Sequence, residues 1–174
     1  MKIAICGKIA SGKTTLADKL CDAYGFQKFS FASKVKEVAV RICGMHPDKK
    51  DRRLLQTIGH GLRQIISPDV WITPVLSQTK TIKRAVIDDL RYANELAALK
   101  QNGWIVIRLN ISERLQQERI RAAYPDSHKQ HIENLMHPSE TELDEVNIKA
   151  FDFSIDVDDP GAFDSFLQNE FISV

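Results

Sequence analysis

The chain has 174 residues, 43% of them hydrophobic and 27% charged, with a formal net charge of +1. That suits one globular domain, or one with a small insertion, and gives no electrostatic ground for nucleic acid or an anionic membrane as the main partner. Three cysteines without metal-type spacing (Cys6, Cys21, Cys43) read as small buried hydrophobes of a reducing compartment. No apolar run approaches the roughly eighteen residues of a membrane span or the length of a signal peptide, so a cytoplasmic location is expected.

Met1 to Cys6 reads as a buried first strand. It delivers Gly7-Lys8-Ile9-Ala10-Ser11-Gly12-Lys13-Thr14, a complete G-x-x-x-x-G-K-[ST] phosphate loop. A helix is expected over Lys13 to Tyr24, with Leu16, Ala17, Leu20, Cys21 and Tyr24 on one face and Gly25 placed to end it. Strand, loop and helix in that order let backbone N–H groups converge on a triphosphate. Gly7 and Gly12 permit the dihedrals this needs. Lys8, Ala10, Ser11, Gly12, Lys13, Thr14 and Thr15 are expected to wrap ATP. Lys13 would reach the β- and γ-phosphates, and the Thr14 hydroxyl would ligate Mg²⁺.

Gln27 to Ala32 reads as a second strand, and Lys34 to Cys43 as a helix broken by Gly44 and Pro47. Asp48 is a cap for a further helix in which Leu54, Leu55, Ile58, Leu62, Ile65 and Ile66 mark one face, interrupted by Gly59 and Gly61. Pro68 to Gln78 is helical in pattern. Ala85 to Asp88 reads as a third strand, Tyr92 to Gln101 as a helix stopped by Asn102-Gly103, and Trp104 to Leu109 as a fourth strand. Ser112 caps a charged helix reaching about Ala123. Residues 124–146 are polar and rich in His, Glu and Pro. Phe151 to Val157 alternates like a last strand, and Asp159-Pro160 has the form of a helix start. The expected fold is α/β: a P-loop three-layer αβα arrangement around a central parallel sheet of about five strands. Ligands in such sheets collect at the carboxyl ends of the strands, where the loop, Asp88, Asp89 and Arg91 all fall.

Asp88 and Asp89 end an apolar strand, the place from which an NTP site holds Mg²⁺; a strand end entering a loop would also carry Asp, and spacing does not choose between the two residues. Arg91 could grip a second phosphate bidentately or form a surface ion pair with Glu95. Arg114, Arg119 and Arg121, with Arg108 just before them, fit either a solvated helix face with i,i+4 pairs or a mobile lid whose arginines stabilise a transferred phosphoryl group. The histidines (His46, His60, His128, His131, His137) lack metal-type spacing and are given no metal role. Ser139-Glu140-Thr141-Glu142 has the form of a capping box. Among the aromatics, Phe31 sits at a strand end near the expected acceptor site and is the better base-stacking candidate; Phe29 and Trp104 read as core, and Trp71 is open to either role.

Asp88-Asp89-Leu90-Arg91-Tyr92 has no glycine, and Asn147-Ile148-Lys149-Ala150 lacks the aspartate of a guanine motif, which argues against a small GTPase. A small kinase fits the length: a single P-loop domain over residues 1–174, with a helical acceptor-binding region near 33–80 and a lid-like region near 112–146.

At this point the chain resembles the deoxynucleoside monophosphate kinases of bacteriophages, within the P-loop nucleoside monophosphate kinase group. The resemblance rests on Gly7 to Thr15, Phe31-Ala32-Ser33-Lys34-Val35-Lys36, Leu55 to Arg63 followed by Pro68-Asp69-Val70-Trp71, Val86 to Glu95, and His137-Pro138-Ser139-Glu140, in that order. It implies phosphoryl transfer from ATP, with Mg²⁺, to a deoxynucleoside monophosphate. By position, Lys36, Arg63 and Arg91 would hold the acceptor phosphate or its surroundings, Asp89 matches the family's aspartate, and Glu95 and Glu140 match acidic positions without an assigned role. With the resemblance, the lid reading of Arg119 and Arg121 stands level with the solvated-face reading. Many members of that family carry Asp where this chain has Thr14. Phosphomevalonate kinases and dephospho-coenzyme A kinases share parts of the layout, and a nucleotide-gated binding module without catalysis would need the loop alone. Small-molecule partners are implied in every enzyme reading, with no nucleic acid and no membrane.

Overall fold

Every apolar run that reads as a strand becomes one, and the computed structural model describes residues 1–49, 51–136 and 138–172. The strands are β1 (Lys2–Gly7), β2 (Gln27–Phe29), β3 (Ala85–Leu90), β4 (Ile105–Asn110) and β5 (Phe153–Asp156). They form one five-stranded sheet in the order β2-β3-β1-β4-β5, and every neighbouring pair is parallel. Parallel pairing requires crossovers, and the helices supply them.

On one face lie α1 (Lys13–Tyr24) and α9 (Ala162–Leu167), packing Leu16, Leu20 and Leu167 against Ile3, Ile5 and Ile107 of the sheet. On the other lie α2 (Phe31–Arg41), α3 (Arg52–Ile65), α4 (Ile72–Thr79) and α5 (Ala93–Gln101), packing Phe31, Ile72, Val75 and Leu99 against Ala4, Ile87 and Val106. β1 therefore sends Ile3 and Ile5 to one core and Ala4 and Cys6 to the other, the period-two rule for a strand buried on both sides. Among the described residues no helix is long and apolar enough to cross a membrane.

Helix α1 ends as its sequence dictates: Gly25 takes φ 67°, and its N–H satisfies Cys21 and Leu20 carbonyls. Elsewhere the boundaries move. The second strand stops at Phe29, because Ser30 becomes the cap of α2 and accepts from the Ser33 amide. Asp51 caps α3, accepting from the Leu54 amide at 2.9 Å, in place of the expected Asp48. Gly59 does not break that helix; an added Cβ there would meet Val35 of α2 at 3.7 Å, and its carbonyl accepts from the Trp71 indole at 2.9 Å. Helix α4 starts at Ile72 after a turn rather than at Pro68. The last helix starts at Ala162 rather than at Pro160, since the Asp159 carboxylate accepts from the Gly161 amide and makes a local turn instead of a cap.

After β4 come α6 (Glu113–Ala123), α7 (His128–Glu133) and the four-residue α8 (Pro138–Thr141), with single 3₁₀ turns around them. Ser112 caps α6, accepting from Leu115. Ser139 lies inside α8 rather than before it, so it is not the cap of a box; its side chain and His137 lie outside what is described. Of the cysteines, Cys6 is buried, Cys21 half-buried and Cys43 exposed, so the expectation of three buried thiols fails at Cys43.

Candidate functional site

The loop between β1 and α1 is built on positive φ at Gly7 (147°), Ala10 (65°) and Gly12 (90°). A Cβ on Gly7 would stand 2.7 Å from Ser11 Oγ and 2.8 Å from the Leu109 carbonyl, so only glycine fits where β1 enters the loop. Lys13 is the buried first residue of α1. Its Nζ donates to the Gly7 and Lys8 carbonyls, each at 2.7 Å, and so folds back over the loop. Burial, with Arg91 adding to it, lowers its pKa from 10.5 to about 8. Ser11 Oγ is fully buried and has no hydrogen-bond partner among the described residues.

Beneath the loop the Thr14 hydroxyl donates to Asp88 Oδ2 at 2.9 Å, and Lys28 stands 3.1 Å from the same carboxylate. Asp89 does something different. It accepts from Ser30 Oγ (2.7 Å), Ala32 N (2.8 Å) and Phe31 N (3.1 Å), tying down the start of α2. Burial raises its pKa above the usual carboxylate value, against the pull of those three donors. The two aspartates diverge because successive strand residues point to opposite faces; β3 also carries a register shift here, Ala4 pairing with Ile87 but Cys6 with Leu90. Both Asp89 oxygens are thus engaged by the start of α2, whereas Asp88 lies beside the Thr14 hydroxyl.

Phe31 is 3% exposed and packs in the core under α2, so its ring offers no face for a base. It is the first residue of a helix and not a strand end, which turns it inward. Lys36 is exposed on α2. Arg63, from α3, donates to Glu95 Oε1 at 2.5 Å and to the Pro68 carbonyl at 3.1 Å, and its guanidinium lies 4.6 Å from the Tyr92 ring centroid. Glu95 is 1% exposed; its other oxygen accepts the Arg91 and Tyr92 amides at 3.0 and 3.1 Å. Burial raises the Glu95 pKa, which Arg91's amide and Arg63 oppose.

The Arg91 side chain pairs with Glu140 and not with Glu95. Glu140 in turn accepts from the Ile9 amide of the loop at 2.7 Å. Arg108 donates to the Leu143 carbonyl at 2.6 Å and to Asp144 at 2.8 Å, and Lys8 stands 3.1 Å from that same Asp144. Between these groups and the ends of β1, β3 and β4 is a cleft of about 210 Å³.

The α6 arginines divide. Arg119 donates to the Ala10 carbonyl at 3.2 Å, and the buried Gln116 donates to the Ile9 carbonyl at 3.0 Å, so this face of α6 grips the loop. Arg121 points the other way, to Gln117 at 2.9 Å, and Arg114 pairs with Glu118 at 3.1 Å. For Arg121 and Arg114 the solvated-face reading is the one that fits the geometry, because they lie around the helix from the Gln116–Arg119–Ile120 side that is turned to the protein. Gln116 and Asp144 carried no sequence signal. From sequence, Arg108 reads only as a neighbour of the arginine-rich helix, and Glu140 only as part of a capping-box segment and a positional match.

No protein-family model matches the chain, and no curated protein matches it. Solved structures do. The chain is similar to a shikimate kinase from Bacteroides thetaiotaomicron at 12% identity and TM-score 0.62, covering 100% of this chain and 99% of that one. It is similar to a deoxyadenosine kinase from M. mycoides with products dCMP and a flexible dCDP bound, at 17% identity and TM-score 0.57, covering 100% of both chains. A shikimate kinase from Acinetobacter baumannii in complex with shikimate matches at 18% identity and TM-score 0.57, covering 99% of this chain and 93% of that one. At such identities the likeness is one of fold: the chain has the α/β fold of these P-loop kinases.

Proposed function

We propose that the protein transfers a phosphoryl group from ATP to a nucleoside or deoxynucleoside monophosphate, giving the diphosphate. One observation carries the reading. Lys13, the Thr14–Asp88 pair and the loop amides converge on one mouth, and Arg91, from the end of the adjacent β3, reaches that mouth through Glu140 and the Ile9 amide. A donor triphosphate site and a cation for a second phosphate then stand side by side, as phosphoryl transfer between phosphates needs. A fold neighbour, a deoxyadenosine kinase, is solved with products dCMP and dCDP bound, so this fold can hold deoxynucleoside phosphates.

Mg²⁺ fits this site. Thr14 Oγ1 and Asp88 Oδ2 are hard oxygen donors 2.9 Å apart. Among the described residues there is no cluster of three or more His, Cys, Asp or Glu side chains, so nucleotide phosphates and water would complete the shell. When bound, the ion supplies neutralisation of charge on the β- and γ-phosphate oxygens. Lys13 adds a buried cation at the same oxygens once its Nζ leaves the Gly7 and Lys8 carbonyls. Arg119 and Gln116 brace the loop from α6. Arg91 orients the acceptor phosphate, and Arg63, locked on Glu95, frames the acceptor side from α3 together with the exposed Lys36. No general base is required, because a phosphate monoester is already largely anionic at neutral pH. The rate then comes from positioning and from charge placed in advance.

The test is a coupled assay with ATP and Mg²⁺ across the common nucleoside and deoxynucleoside monophosphates, with phosphomevalonate and dephospho-coenzyme A included. Diphosphate formation from one or more nucleotides is expected, and Lys13→Ala should lower it on the order of a thousandfold. Transfer only to phosphomevalonate or dephospho-coenzyme A would move the acceptor class. Binding of ATP with transfer to none of them would favour a nucleotide-gated binding module.

A further inference from the structure

Three groups that could bind phosphate oxygens line the cleft beside the loop, the Arg91 and Arg108 guanidiniums and the Lys8 ammonium, and a fourth, the Ile9 amide, adjoins it through Glu140. Each is engaged by a carboxylate from one short segment. Glu140 takes Ile9 N–H with one oxygen and Arg91 with the other. Asp144 takes Lys8 with one oxygen and Arg108 with the other. The Leu143 carbonyl adds a further bond to Arg108, whose guanidinium is stacked over Phe151 at 5.1 Å. Two carboxylates carry the charge of one phosphate monoester dianion, about −2 near neutral pH. Their oxygens also sit on the kinds of donor a phosphate uses: arginine guanidiniums, a lysine ammonium and a loop amide. The cleft, at about 210 Å³, is larger than a phosphoryl group, whose heavy atoms need only the space of a few waters at roughly 30 Å³ each.

We propose that this cleft is the oxyanion site for the acceptor's phosphate, with Arg108 and Lys8 joining Arg91 as its donors, and that Glu140 and Asp144 occupy the phosphate positions and are exchanged for the phosphate when it binds. The inference rests on the kinase reading above and deepens it. It assigns a binding role to Arg108, places the acceptor phosphate on the β1–β4 side of the mouth, and makes residues 140–144 competitors of the substrate. Glu140 spans both sides, holding the Ile9 amide of the loop and the Arg91 guanidinium, so loading either side loosens the same carboxylate.

The experiment is calorimetric binding of inorganic phosphate, and separately of ATP with Mg²⁺, to the full chain and to Asp144→Asn, Glu140→Gln and Arg108→Gln. Removing either competing charge should tighten phosphate binding, about fivefold or more for each variant, and Arg108→Gln should weaken it about tenfold with ATP affinity within about twofold. Tighter binding in both carboxamide variants supports the exchange; unchanged or weaker binding overturns it, because carboxylates that merely position Arg91 and Arg108 would shift affinity in the opposite direction. Should a variant fail to fold, amide hydrogen exchange on the unaltered protein decides: saturating phosphate should speed exchange at residues 140–146, and slower exchange there overturns the proposal. ATP binding without the phosphate pattern sinks this inference alone. Absence of both ATP and phosphate binding in every form sinks the kinase reading and this inference with it.

Discussion

Lys13 is a cation held where its charge is poorly solvated, and this has a thermodynamic consequence that can be measured. Its pKa falls from 10.5 to about 8 through burial and the nearby Arg91. At pH 9 the folded protein should therefore carry a neutral Lys13 about nine-tenths of the time, and at pH 7 about one-tenth. A polyphosphate placed over Nζ favours the ammonium form and should lift the pKa to its ordinary range or above. Binding of ATP with Mg²⁺ at pH 9 should then take up close to one proton, and at pH 7 about a tenth of one. Calorimetry in two buffers of different ionisation enthalpy reads this number at each pH. Proton uptake that is the same at pH 7 and pH 9 would mean that Lys13 is not the group the polyphosphate recharges. The pH dependence of stability reports on the same group independently. Between about pH 8 and 10.5 the unfolded chain keeps the Lys13 proton and the folded chain does not, so stability rises with pH across that window. The gap between the two pKa values, at about 1.4 kcal/mol per pH unit, is worth about 3 kcal/mol. Urea denaturation of the protein and of Lys13→Met should show that difference growing from pH 7.5 to 10.5; parallel curves would count against it.

Asp88→Asn should cut transfer on the order of a hundredfold and raise the Mg²⁺ needed for half-maximal rate while leaving stability near normal. Asp89→Ala should instead cost about 2 kcal/mol in urea denaturation, since it strips three donors at the start of α2 of their acceptor; equal kinetic effects with no stability difference would erase the division between the two. Glu95→Ala should cost about 2–4 kcal/mol, because it leaves the part-buried Arg63 guanidinium without its carboxylate and the Arg91 and Tyr92 amides without their acceptor, and a loss under about 1 kcal/mol would show that the pair is not structural. Arg119→Ala should weaken ATP binding by roughly tenfold through the loop contact at Ala10, whereas Arg121→Ala should leave it unchanged; the reverse order, read by the same calorimetry, would reassign the two arginines.

The phosphate loop, the alternation of strands and helices and the Lys13–Tyr24 bounds of α1 were all legible from residues within a few positions of one another. Such patterns record backbone periodicity and capping, which are local physics. The boundary errors were local as well: Ser30, Asp51 and Asp159 each carry a short polar side chain able to bond nearby amides, and several residues competed for the same turn. The site itself was only partly legible. Phe31 reads as a strand-end aromatic, but the helix starts three residues earlier than expected, at Phe31 instead of Lys34, and this turns its ring into the core.

Residues 1–24 suffice to dictate that a strand hands a glycine-rich loop to a helix, and with it that amides, a lysine and a hydroxyl face one point. Which acidic and basic groups share that point is settled by long-range packing. Thr14 meets Asp88 across 74 positions of chain, and Ile9 meets Glu140 across 131. Those encounters depend on the register of a parallel sheet, on the shift within β3, and on where the segment after α6 comes to rest. None of these leaves a mark on neighbouring residues, because the energy that fixes them is released only when distant surfaces are buried together.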